Sequence, residues 1–159
     1  MKNQKNYTLE EAKLRIANYC VYRDRCHKEV REKLTSMGMI PMVIDELISF
    51  LIEEDFLNEE RFAKSFARGK FNIKNWGRLR ITRELKSRGI SAYCIKIALT
   101  ELKEQDYYTC FDRISEKKAA QLSHYPIQQQ KKKLMDYLAY RGWESSMIYD
   151  KINELFNTN

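Results

Sequence analysis

The sequence predicts an all-α protein, built as three tandem three-helix repeats that form an elongated, curved helical array. Glycine and proline are scarce, at five and two of 159 residues, too few for the many turns of an all-β design. Apolar residues recur at spacings of three and four, the period of an amphipathic helix. Most telling is an internal repeat: Gly38, Gly89 and Gly142 lie 51 and 53 residues apart, each in a similar frame. Leu34, Leu85 and Leu138 stand four residues before them, and Val30, Ile81 and Leu134 four before that. After each glycine come aliphatics at three shared offsets: Ile44, Ile48 and Leu51, then Ile95, Leu99 and Leu102, then Ile148, Ile152 and Leu155. Eighteen positions in register at a period near 50 mark a repeat architecture.

The elements follow in order. Thr8 and Glu11 form a capping box for a first helix. The second helix ends at Gly38, which takes the left-handed conformation at the C-terminus without a Cβ penalty, and Met39 tucks under that end. The third starts at Pro41, favoured in a first turn. Block two repeats this scheme. Asn58 caps its first helix, with Glu59 and Glu60 suited to the helix dipole; Gly77 opens the next, Gly89 ends it, and Ser91 starts the last. In block three Asp106 is the expected cap, Pro126 opens the middle helix, Gly142 ends it and Glu144 begins the final one. The blocks run 8–55, 56–105 and 106–157, with acidic Glu53-Glu54-Asp55 and Lys103-Glu104-Gln105-Asp106 at the junctions. Each is small for independent stability, so neighbours must pack or the array must flex.

Charge concentrates in one place. The stretch from Arg61 to Arg88 holds ten cations (Arg61, Lys64, Arg68, Lys70, Lys74, Arg78, Arg80, Arg83, Lys86 and Arg88) against Glu84, a formal +9 in a chain of +7. The remainder nets −2. Like charges at three- and four-residue spacing weaken a helix unless something compensates, and a field so focused suits a polyanion. These ten are the candidate nucleic-acid or filament contacts. On the first helix of the pair, Phe62, Phe66, Gly69 and Ile73 share the expected core face, with Phe71 nearer the cations; on the second, Ile81 and Leu85 face inward. Trp76 and Phe71 are candidates either for stacking on bases or for packing between helices. Trp143 aligns with Met39 and Ile90 and reads as structural.

The other blocks are more dilute. Arg23, Arg25, Lys28 and Arg31 alternate with Asp24, Glu29 and Glu32. Lys117, Lys118 and Lys131-Lys132-Lys133 are expected to be offset by Asp112, Glu116 and Asp136, leaving a secondary contact at best.

Catalysis finds no foothold. The chain has no phosphate-binding glycine loop, no H-E-x-x-H and no nucleophile elbow. Two histidines and no recognisable acid pair leave little for acid–base chemistry. No cofactor and no metal is expected: Cys26, His27 and His124 match no zinc spacing. Cys20, Cys26, Cys94 and Cys110 read as reduced structural thiols. No apolar run approaches a membrane span, and the start M-K-N-Q-K-N-Y-T lacks a secretory apolar segment, so a cytoplasmic protein is expected; a monomer is expected as well.

The runs Phe56-Leu57-Asn58-Glu59-Glu60-Arg61-Phe62-Ala63, Trp76-Gly77-Arg78-Leu79-Arg80-Ile81 and Glu84-Leu85-Lys86-Ser87-Arg88-Gly89-Ile90 resemble the central motif of the RecX family, bacterial regulators of the RecA recombinase. The resemblance covers nearly the whole chain, because that family is also built of three three-helix repeats. Met37 departs from it, standing where Arg88 and Arg141 precede the other two glycines. The resemblance implies a non-enzymatic modulator, usually an inhibitor, that lies along the groove of the RecA–DNA filament and contacts single- and double-stranded DNA without sequence specificity. Two other readings stand beside it. One is a helical scaffold that docks its basic face on an acidic protein without binding DNA. The other is a sequence-specific helix-turn-helix regulator, disfavoured because the helix carrying Ile95, Leu99 and Leu102 offers no polar recognition face.

Overall fold

The computed structural model describes residues 6–157, and nine helices run through them: α1 (Leu9–Tyr22), α2 (His27–Ser36), α3 (Pro41–Glu53), α4 (Glu59–Lys74), α5 (Arg78–Ser87), α6 (Ala92–Leu99), α7 (Glu104–Gln121), α8 (Ile127–Tyr140) and α9 (Ser145–Phe156). There is no strand among the described residues. The capping box forms: the Thr8 Oγ1 accepts the Glu11 N–H at 3.2 Å, and the Glu11 carboxylate accepts the Thr8 N–H at 3.0 Å. The Asn58 side chain accepts the Arg61 N–H at 2.8 Å, and that of Ser91 accepts the Cys94 N–H.

The repeated glycines end α2, α5 and α8 in one shared motif. Their φ angles are 81°, 73° and 87°. In each, the residue after the glycine donates its N–H to the carbonyl of the leucine five residues before it: Met39 to Leu34, Ile90 to Leu85, Trp143 to Leu138, at 3.1–3.2 Å. The glycine N–H bonds the carbonyl three residues back. These paired bonds satisfy carbonyls that a helix end otherwise leaves orphaned.

Three expectations need correcting. The cap of α7 is Lys103, not Asp106, which sits in the first turn; there its carboxylate still suits the dipole. The buried face of α4 is Phe62, Ala63, Ala67 and Phe71. Phe71 is core, stacked on Tyr107 at 5.9 Å, whereas Ile73 is 77% exposed. The cause is tertiary. α4 packs along α6, small Ala63 and Ala67 lie on its buried face, and α7 brings Tyr107 under the last turn. Finally, Asp112 and Glu116 do not offset Lys117 and Lys118. Together with Glu154 they surround Lys151, which α9 carries into the interior with its Nζ 2.9 Å from Asp112 and 3.7 Å from Glu116. A buried ammonium recruits whatever carboxylates it can reach, because an unpaired one is costly.

The interior divides in two. One core holds Ile16, Val30, Leu34, Ile44, Leu47, Leu51 and Leu57 from α1–α3 and the turn after them. The other is continuous across α4–α9, from Phe62 and Phe71 through Ile81 and Leu85 to Tyr107, Phe111, Leu134, Trp143 and Ile152. The second and third helical triplets thus share one core, to which the first lends only Cys26, and the first has a core of its own. All four cysteines are buried and unpaired. Burial raises each thiol pKa, that of Cys20 to about 11 against the pull of Arg25, so the thiolates are suppressed and the groups are inert.

Candidate nucleic-acid interface

The basic stretch folds as the α4–α5 pair, joined by a turn at Asn75, Trp76 and Gly77. Asn75 takes the left-handed conformation, φ 57°, and its N–H bonds the Phe71 carbonyl. The turn is fixed from outside by the third triplet. The Gly77 and Leu79 N–H groups donate to the Arg141 and Gly142 carbonyls at 2.8 and 3.0 Å. Thus the donor-rich start of α5 meets the acceptor-rich end of α8, and orphan groups on both sides are satisfied. The Arg78 N–H donates to the Tyr107 hydroxyl at 2.9 Å, which donates in turn to Glu144 at 2.7 Å. Burial and that carboxylate acceptor push the phenol well above its ordinary pKa, although Arg78 opposes them. The Trp143 indole N–H donates to the Asn75 carbonyl at 3.1 Å. Contact here is so close that a Cβ on Gly77 would overlap the Gly142 carbonyl, and one on Gly142 would overlap the backbone of Arg80.

On this frame the ten cations separate into two groups. Five have carboxylate partners. Arg61 bonds Asp24 at 3.0 Å and Asp55 at 3.2 Å; Lys64 pairs with Glu60 at 3.1 Å; Arg68 with Glu101 at 3.3 Å; Arg78 with Glu144 at 3.8 Å; Arg88 with Glu84 at 2.9 Å. The other five, Lys70, Lys74, Arg80, Arg83 and Lys86, have no such partner among the described residues. Two of them are held by aromatic rings instead. Lys70 Nζ lies 5.0 Å from the Trp76 ring and 5.4 Å from that of Phe66. The Arg80 guanidinium is sandwiched between Trp76 at 4.1 Å and Tyr140 at 4.6 Å, and donates to the Tyr140 carbonyl at 3.2 Å.

The distinction has electrostatic content. A carboxylate cancels a cation's field at a distance; a ring quadrupole orients the cation and leaves its net charge in place. The uncompensated field therefore comes from the end of α4 and the outer side of α5, not evenly from all ten positions. Trp76 is part packing element and part cation platform, and Trp143, 1% exposed, is structural. Sequence reading missed Tyr140. A signal was present: at that place in the repeat, two before the glycine, the other blocks carry Ser36 and Ser87. No group of three or more metal-ligating side chains, and no helix long and apolar enough to cross a membrane, occurs among the described residues.

Comparison with known proteins agrees with this architecture. Residues 58–99 match the model for the second three-helix domain of RecX, and residues 105–152 that for the third. The regulatory protein RecX of Bacillus cytotoxicus is 29% identical over 151 residues, and that of Bacillus mycoides 27%. Each alignment covers 94% of this chain but 56% of the relative, so the chain spans little more than half the length of these curated proteins. The crystal structure of RecX from Lactobacillus salivarius superposes with a TM-score of 0.80 at 27% identity, covering 94% of this chain and 97% of that one. A second RecX crystal structure, at 20% identity and TM-score 0.82, shares the fold.

Proposed function

This chain belongs to the RecX family, whose curated members are named regulatory proteins, and we propose that it modulates the RecA recombinase without catalysis of its own, binding the RecA–DNA filament and DNA through the α4–α5 face. The observation that carries this is the set of five cations without carboxylate partners, Lys70, Lys74, Arg80, Arg83 and Lys86, on two helices whose other faces are committed to the core. Phosphate contacts of this kind position a protein on nucleic acid without reading sequence. Binding to single- and double-stranded DNA should weaken steeply with salt, by a log–log slope of about −0.9 per duplex phosphate engaged. The direction is inhibition, and the working form is a cytoplasmic monomer. A sequence-specific helix-turn-helix role fits poorly, since α6 buries Cys94, Ile95 and Ala98.

The test is recombinase-driven ATP hydrolysis on single-stranded DNA, with the wild-type chain and with the Lys74→Glu/Arg83→Glu/Lys86→Glu triple variant. The wild type should suppress hydrolysis; the variant should fold, by circular dichroism, and lose both suppression and DNA binding. Suppression that survives the triple reversal sinks the proposal. Capture of the recombinase with no affinity for DNA at low salt would instead favour the scaffold reading, in which the basic face docks on acidic protein.

A further inference from the structure

The aromatic-held charge does not stop at α5. Tyr140, which covers one face of Arg80, also lines a groove of about 570 Å³ between α7 and α8. That groove interleaves three tyrosines with three cations. Lys118 lies 5.0 Å from the Tyr137 ring, Arg141 lies 3.7 Å from its centre, and Lys133 lies 4.5 Å from Tyr125. None of these cations has a carboxylate partner among the described residues. The only acid lining the groove, Asp136, is engaged by Lys132 at 2.9 Å, and Asp112 and Glu116 are drawn away to Lys151. Tyr137 and Tyr125 are half-buried posts that steady the cations. Tyr140 differs: it is 68% exposed, with Arg80 against the ring.

We infer that the α7–α8 groove is a single-stranded DNA site, in which Tyr140 stacks on an unpaired base while Lys118, Lys133 and Arg141 take the adjoining phosphates. The inference deepens the reading above and rests on it, adding strand selectivity and a route for the strand from the α4–α5 face across Arg80 into the third triplet. Charge complementarity gives the polyanion. The exposed ring gives the single strand, because a base in duplex is already stacked on its neighbours and has no free face to offer. The shared core of α4–α9 holds the two surfaces in one frame, so one strand can engage both without an ordering penalty at a hinge.

Fluorescence anisotropy on the full chain tests this, with a labelled oligo(dT) of about 15 nucleotides and a duplex of equal length. Tyr140→Ala should weaken oligo(dT) binding about tenfold and weaken duplex binding clearly less, through the loosened Arg80 alone, and Tyr140→Phe should restore the loss. Lys118→Ala/Lys133→Ala, which spares the ring, should make the log–log salt slope for oligo(dT) shallower by about 1.4, two contacts at about 0.7 each. Equal loss on both ligands, or no loss in Tyr140→Ala, overturns the inference. If the α4–α5 triple variant abolishes binding of both ligands while the groove variants bind as wild type, DNA binding by the central face survives and only the groove site falls. If the wild type binds neither ligand, both readings fall.

Discussion

The chain joins its helical triplets twice, by different chemistry. Between the first and second the links are mostly polar side chains. Arg61 reaches back to Asp24, and Lys28 donates to the Ser87 carbonyl at 3.3 Å. A cleft of about 570 Å³ opens among Tyr19, Arg23, Lys28, Phe66, Lys70 and Arg88. Between the second and third, backbone donates directly to backbone, Phe71, Tyr107, Trp143 and Phe111 follow one another at centroid distances of 4.5–5.9 Å, and two glycines allow the approach. One repeated unit can therefore be coupled loosely or tightly without change to its own helices. Exposed ion pairs are weak and screened by salt; a shared apolar core with exacting contacts is neither.

The contrast can be broken most sharply at the tight joint. Trp143→Ala should destabilise the α4–α9 unit by about 3–5 kcal/mol, the usual cost of deleting a large buried ring, read as a fall in the urea midpoint. Gly142→Ala should cost about 2–4 kcal/mol, combining left-handed strain with overlap against Arg80, and Gly89→Ala, equally left-handed but with nothing within 4 Å of the added Cβ, distinctly less. Tyr107→Phe should cost about 1–3 kcal/mol by leaving the Arg78 N–H and Glu144 without their bridge. It should also alter the alkaline limb. The folded phenol is held protonated while the unfolded one ionises near its ordinary pKa of about 10, so this contribution is complete below that pH and declines above it; the Phe variant should lose that part of the slope. Smallest is Asp24→Ala at the loose joint, under about 1 kcal/mol, its effect vanishing in high salt when melting is followed by calorimetry.

Loss of function should divide along the same line. Arg68→Ala, whose charge Glu101 already offsets at 3.3 Å, should reduce DNA affinity less than Arg83→Ala. Anisotropy measured at one salt concentration compares them, and equal losses would mean that carboxylate pairing does not govern which cations count.

Much of this was legible in the chain. Local rules end and start helices, and they act within four or five residues, so the capping box at Thr8, the cap at Asn58 and the three glycine termini could be read directly. The concentration of charge between Arg61 and Arg88 is likewise a property of sequence. What side chains do across distant stretches of the chain is not. No local signal says that Phe71 rather than Ile73 turns inward, because α7 supplies the ring beneath it. None says that Asp112 and Glu116 serve Lys151, or that Arg80 is clasped by Tyr140. Helix identity follows from short-range hydrogen bonding and is fixed by neighbours along the chain; which cations keep their field depends on which carboxylates and rings the fold brings within a few ångströms, and only the tertiary structure decides that.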